Sequence, residues 1–197
     1  LVPFMAGGLR TDGRVLLELA RQSPDALLQL RLQQVLALAI AGQRPRDWPV
    51  SLLGAADDAA ANTLLSVSAD SLRLAHLLDR NDLAGAADAA QRVQARYAEV
   101  TEAFRPHLAI DLAGYAAQAL RDPALVAAWR PLCEGGVTDL SPFRHWLDAE
   151  HALLAGDHAG ARAASQAARP LVARTPYPYN AVLLTEALDR IDAALPA

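Results

Sequence analysis

The chain of 197 residues has a net charge of −4, a single cysteine, and 53% hydrophobic but only 5% aromatic residues. The acidic balance excludes the concentrated positive charge of a nucleic-acid-binding surface, and one cysteine excludes an internal disulfide. Leucine and alanine dominate the apolar residues and are strong helix formers, while no apolar run is long enough to span a bilayer. The composition therefore predicts an all-α protein.

The first 13 residues are predicted to be non-helical, because one proline and three glycines interrupt them. Apolar residues at helical spacing begin directly afterwards. The pair Ser23-Pro24 supplies an N-cap and a first-turn proline, so we expect a helix from about Asp25 to Ala41. The loop beyond this helix contains Trp48, which we expect to plug the core.

A sequence signature occurs twice, 75 residues apart, with eight identities between the eighteen positions 76–93 and 151–168. Each copy has a histidine, a short polar turn ending in an aspartate that can cap a helix, and then glycine and alanine. Such small residues let the second helix approach the first closely. The signature predicts two helix hairpins, about Ala69–Asp79 with Leu83–Val100 and Pro142–Ala155 with Ala159–Ala173.

Between these hairpins, the sequence predicts a further pair, Phe104–Leu120 and Pro123–Leu132, and a last helix follows at about Asn180–Leu195. Helix pairs of about 35 to 40 residues are typical of tetratricopeptide repeats. We therefore predict a right-handed stack of antiparallel helix pairs with a capping helix at the C-terminus. The predicted divisions are a non-helical segment 1–13, an N-terminal helical segment 14–68 and the pairs with their cap at 69–197, where 14–197 form one compact domain.

The segment Leu1-Val-Pro-Phe-Met-Ala-Gly-Gly-Leu-Arg-Thr-Asp-Gly resembles the last conserved segment of the site-2 protease family, whose members are intramembrane zinc metallopeptidases. In that family this late segment supplies a carboxylate to the zinc, and in some bacterial members a cytosolic helical extension follows it. The resemblance implies that Asp12 matches the third zinc ligand and Pro3 the proline of the motif. For this chain alone, the favoured interpretation of Asp12 before Gly13 is an ordinary N-cap or loop residue.

Catalysis by this chain alone is not expected. The family carries two histidine ligands and a glutamate base in a His-Glu-x-x-His helix, and this sequence lacks that motif. We expect no cofactor in this chain and zinc only in a longer parent protein. Because the sequence starts with Leu1, we interpret it as a soluble cytoplasmic region of such a parent, tethered through it to the inner membrane.

Stacked helix pairs form docking surfaces more often than reaction centres, so we predict a protein or peptide partner and no nucleic acid. The candidate partner-binding residues are Arg73, His76, Arg80, Arg144 and His151. A solvated outer face remains the simpler interpretation of the arginines. The sequence leaves the oligomeric state open.

A second interpretation makes the chain a tetratricopeptide-like sensor or scaffold fragment of a bacterial regulator unrelated to proteolysis. A free-standing helical enzyme is disfavoured, because no general acid, base and nucleophile can be brought together with helical spacing. Cys133 has Glu134 beside it and no neighbouring cation in sequence, so we interpret it as a structural thiol.

Overall fold

A computed structural model describes residues 5–6, 9–10, 20–21, 23–54 and 63–196. Apart from one two-residue strand pair, the regular structure in these ranges is helical, as the composition predicted. The α-helices in the described residues are α1 (Pro24–Ile40), α2 (Thr63–Asp79), α3 (Leu83–Arg96), α4 (Arg105–Tyr115), α5 (Pro123–Trp129), α6 (Ser141–Leu154), α7 (His158–Ala168) and α8 (Pro178–Ala194).

The strand pair lies in the N-terminal segment. Strand β1 (Met5–Ala6) pairs antiparallel with β2 (Leu9–Arg10). The described residues of this segment are thus extended, in agreement with the predicted absence of helix there. The candidate zinc ligand Asp12 lies outside the described residues.

Helix α1 has the boundaries that its capping residues predict. The Ser23 hydroxyl accepts a hydrogen bond from the Ala26 amide at 3.3 Å, and Pro24 occupies the first turn. The helix ends at Ile40, and the chain then turns through Gly42 at φ +82°. A positive φ is strained for residues with a Cβ, so glycine is favoured at this position.

The repeated signature forms two hairpins, α2–α3 and α6–α7, as predicted. Asp82 caps α3 through the Gly85 amide at 3.0 Å, and Asp157 caps α7 through the Gly160 amide at 2.9 Å. A side-chain cap of this kind contributes about 1 kcal/mol. The first hairpin begins earlier than predicted, because α2 starts at Thr63 instead of Ala69. The predicted division between residues 68 and 69 therefore falls inside one helix.

Helix α4 joins the two halves of the core. Its residues Leu108 and Leu112 pack with the hairpin α2–α3, in a cluster that includes Val67 and Val93. Its opposite face, with Ala109 and Ala113, packs with α6, α7 and α8. A π-helical turn, Ala116–Leu120, extends α4, and Arg121 then adopts φ +52° before α5 starts. The helix is apolar on both faces because it has packed neighbours on both.

The loop after α1 is anchored by Trp48, which is 2% exposed and confirms the predicted plug. Its indole Nε1 donates to the Gln43 carbonyl at 3.0 Å. Its ring meets Tyr179 of α8 edge to face, with 5.5 Å between the centroids. These contacts hold the loop against α8, which positions residues 44–46 at the mouth of a groove.

Candidate functional site: a groove between four helices

A groove of about 470 Å³ opens between α2, α4, α6 and α8, with the loop after α1 at its rim. This volume is within the range of sites that bind small molecules or a few side chains of a peptide. Aromatic rings line it from two directions, Phe143 and Trp146 from α6 and Tyr179 from α8. Charged residues lie mainly at its rim, and one carboxylate, Asp111, comes from the central helix α4.

The rim is held by Arg44, whose guanidinium joins three elements. Its Nη2 donates to Asp79 Oδ1 of α2 at 2.6 Å, and its Nη1 donates to Glu186 Oε1 of α8 at 2.6 Å. The hydrogen bonds with Asp79 and Glu186 raise the pKa of Arg44 above its usual range. The Arg46 amide donates to the second oxygen of Asp79 at 3.0 Å. Asp79 thus satisfies both its oxygens inside the protein, and its side chain is only 4% exposed.

Asp111 is placed differently, because the described residues give its carboxylate no cationic partner. Its Oδ2 accepts a hydrogen bond from the Ser71 hydroxyl of α2 at 2.5 Å. Removal of water by the surrounding helices raises the pKa of Asp111 to about 7, although the Ser71 hydrogen bond acts to lower it. The carboxyl group therefore changes its charge near neutral pH.

The α6 wall depends on a small residue of α4. A Cβ on Gly114 would lie 3.1 Å from Trp146 Cη2, so the missing side chain leaves room for the indole ring. Trp146 Nε1 donates to Glu150 Oε1 at 3.0 Å. Glu150 is 1% exposed and also accepts a hydrogen bond from Arg190 of α8. The indole is thereby fixed in orientation and Arg190 has a carboxylate partner.

Burial also affects Tyr179, the aromatic residue on the α8 side. The residue is 8% exposed, and the loss of water raises the pKa of its phenol. Its ring stacks on Tyr177 with a centroid distance of 5.9 Å. Together with the Trp48 contact, this stacking makes the wall next to the loop rigid.

The five predicted partner-binding residues do not line this groove. His76 is 4% exposed, and its Nδ1 shares a hydrogen bond with the Pro45 carbonyl at 2.6 Å. It therefore connects α2 to the loop inside the protein. Arg73 is half-buried, and its positive charge acts to lower the pKa of Asp70. Arg80 is exposed at the end of α2.

Arg144 and His151 both belong to α6 of the second hairpin. Arg144 is half-buried, donates to Ser141 Oγ at 3.2 Å and pairs with Glu134 at 3.4 Å. These contacts brace the loop before α6. His151 is half-buried near the end of α6. The predicted residues thus differ in exposure, and His76 and Arg144 are engaged in internal contacts.

The described residues bring together few reactive side chains. They contain no group of three or more histidine, cysteine or acidic side chains that could hold a metal ion. No histidine lines the groove, and the nearby Ser71 hydroxyl donates its hydrogen bond to Asp111. Cys133 is fully buried, and the loss of water raises the pKa of its thiol to about 12. A thiolate, the reactive form, is therefore disfavoured.

The chain was compared with protein families, with curated proteins and with solved structures. No family model, no curated protein and no solved structure matches it. Among the described helices, none has the length and apolar character required to cross a membrane.

None of the groove residues was predicted from the sequence, although the sequence around Asp111 is unusual. Asp111 is the one acidic residue of the helix Arg105–Tyr115, and it sits between Ile110 and Leu112 in an otherwise mostly apolar stretch. An isolated carboxylate on a packed helix needs a partner or a function. Arg44 and Glu186 gave no comparable signal, because their contact joins residues 142 positions apart.

Proposed function

We propose that this chain is a non-catalytic helical binding region that holds a peptide segment of a protein partner in the groove between α2, α4, α6 and α8. The observation that carries the proposal is the combination of apolar walls with a few fixed polar groups. Three aromatic rings and the α8 leucines supply apolar contact, while Asp111 and the ion pairs at the rim would fix the orientation of a bound peptide. Such a combination is typical of recognition sites.

A peptide suits the groove better than a polyanion. The rim arginines Arg44 and Arg190 are already paired with carboxylates, so the groove has little free positive charge to offer phosphates. The net charge of −4 acts in the same direction. A protein partner also fits the helix-pair architecture, because such scaffolds commonly bind extended or helical segments along a concave face.

The resemblance of the N-terminal segment to the site-2 protease family suggests the kind of larger protein in which the chain acts. We place the chain as the cytoplasmic extension of a site-2-protease-like membrane metallopeptidase, where Asp12 contributes to a zinc site completed by residues of the parent. In this role the region recruits or regulates a partner of the protease. We further propose that its helix pairs follow the right-handed, tetratricopeptide-like arrangement.

The second candidate, a tetratricopeptide-like sensor or scaffold fragment of a regulator unrelated to proteolysis, is favoured by the duplicated hairpin. Both copies keep the aspartate cap and the left-handed residue before it, which are general features of helix-pair scaffolds. The parent reading frame separates the two candidates. Upstream membrane helices with a His-Glu-x-x-His segment support the protease setting, and a DNA-binding or kinase domain supports the regulator.

Binding itself is tested by selecting heptapeptides from a random display library on the immobilised protein. We expect enriched sequences whose affinity is lost in the variant Ala75→Trp, because Ala75 lines the groove and an indole there fills it. The matched control Ala163→Trp adds the same side chain at an exposed position of α7. If nothing is enriched, or if both variants bind the selected peptides like the wild type, the proposed function is wrong.

A further inference from the structure

The charges that line the groove divide into paired and unpaired groups. Arg44 is paired with Asp79 and Glu186, and Arg190 with Glu150. Arg46 is exposed at the rim, where water screens its charge. Asp111 alone among the lining carboxylates has no cation within ion-pair distance in the part of the chain that the structure describes. The groove therefore presents one half-buried carboxyl group whose negative charge, when ionised, has no ion-pair partner among the described residues.

The surroundings of Asp111 suit a cation of moderate size. Asp111 lines the groove, and of its two carboxylate oxygens only Oδ2 accepts a hydrogen bond from the described residues. Aromatic rings of Phe143, Trp146 and Tyr179 line the same groove. Aromatic faces attract ammonium and guanidinium groups, and this attraction is strongest where water is excluded.

We infer that the groove recognises a basic side chain, lysine or arginine, of the bound peptide, with Asp111 as its counter-ion and the aromatic walls around its aliphatic stem. This inference rests on the proposed function, because it names the chemistry of the peptide that the groove binds. Residues of the rim then contact the peptide on either side of the basic residue.

The inference carries a pH dependence. With a pKa of about 7, Asp111 is mostly ionised at pH 8 and mostly protonated at pH 6. Because only the ionised form attracts a cation, and because that attraction is expected to be worth about tenfold, affinity for a basic peptide falls by about fivefold from pH 8 to pH 6. The other charged or titratable groups that line the groove or contact its lining are Arg44, Arg46, Asp79, Glu150, Tyr179, Glu186 and Arg190.

The test uses the display-selected heptapeptides, each synthesised with its basic residue and again with norleucine in its place. Isothermal titration at pH 8 is expected to show about tenfold tighter binding of the basic form. In the variant Asp111→Asn, we expect the two forms to bind alike, and the norleucine form to bind as it does to the wild type. The control Asp88→Asn removes an equal charge from the exposed side of α3 and is expected to keep the tenfold preference.

The outcomes separate this inference from the proposed function. An absence of any groove-binding peptide overturns both. Peptides that require the open groove but lack a basic residue overturn the inference and leave the proposed function in place. A preference for the basic form that persists in Asp111→Asn assigns the recognition to another group and overturns the role of Asp111. Thermal melts of both variants establish that the altered binding does not come from unfolding.

Discussion

The hairpins α2–α3 and α6–α7 have the same turn geometry. In each, the residue before the capping aspartate is left-handed, Asn81 at φ +59° and Gly156 at φ +78°. The aspartate then accepts a hydrogen bond from the amide three residues on, at 3.0 Å in the first hairpin and 2.9 Å in the second. A local sequence signature therefore determines local structure in both places.

The surroundings of the two hairpins differ. His76 is buried against the loop carbonyl of Pro45, while its counterpart His151 is half-buried at the end of α6. The first hairpin contacts the loop after α1, and the second contacts the last helix, α8. The comparison teaches that the repeated residues define how the chain turns, whereas their non-repeated neighbours define what each surface can bind.

Buried carboxylates show the same contrast. Asp70 of α2 lies 3.4 Å from Arg92 of α3, within its own hairpin, and Arg73 and Arg96 also stabilise its charge. Desolvation nonetheless raises the pKa of Asp70. Glu150 of α6 instead pairs with Arg190 of α8, outside its hairpin. The second hairpin is thus coupled directly to α8 by an ion pair, whereas the first reaches α8 through Arg44, which pairs with both Asp79 and Glu186.

The largest expected effect on stability comes from removing the arginine that pairs with each of these buried carboxylates, Glu150 and Asp70. Arg190→Met leaves the almost fully buried Glu150 without its partner, so we expect a loss of about 2–4 kcal/mol in the free energy of unfolding at pH 7.5. Arg92→Met is expected to cost only about 1 kcal/mol, because two further arginines remain near Asp70. Urea denaturation measures both. Equal losses would mean that the two buried carboxylates are compensated in the same way.

An intermediate effect tests the close helix contact that both hairpins share. Ala86 and Ala161 are aligned in the signature and are both fully buried. We expect leucine at either position to overpack the contact and to destabilise the protein by about 1–3 kcal/mol. Melting temperatures of Ala86→Leu and Ala161→Leu check this. A variant that melts like the wild type would show that its hairpin is not closely packed at that alanine.

The smallest expected effect concerns the left-handed residues. Gly156→Ala introduces a Cβ at φ +78° and is expected to cost about 1 kcal/mol. In the first hairpin, Asn81→Gly relieves the same strain and is expected to stabilise by a few tenths of a kcal/mol. Denaturant midpoints of the two variants should shift in opposite directions. Shifts in the same direction would contradict a shared turn geometry.

Much of the fold was predictable, because the capping residues, the glycine after α1 and the duplicated signature act over a few residues. The helical class, the Trp48 plug and the two hairpins were confirmed for this reason. The sequence placed residues 63–68 in the separate N-terminal helical segment 14–68 and did not predict that they continue into the first hairpin as one helix.

The groove could not be predicted, because it depends on contacts between distant parts of the chain. Arg44 meets Glu186 across 142 positions, and Ser71 meets Asp111 across 40. The predicted binding residues were chosen from the repeats themselves, and the structure places His76 and Arg144 in internal contacts instead. The one sequence feature that points to the groove is Asp111, the isolated acidic residue of α4. A lone carboxylate among packed apolar residues lowers stability unless it has a partner or a function.

The central claim is that a peptide binds between the four helices, and the indole N–H signals of the three tryptophans test it most directly. Trp146 lines the groove, whereas Trp129 of α5 lies outside it. In ¹H–¹⁵N spectra, addition of a display-selected peptide is expected to shift the Trp146 signal in proportion to binding and to leave that of Trp129 in place. A shift of Trp129 with an unchanged Trp146 would contradict the account.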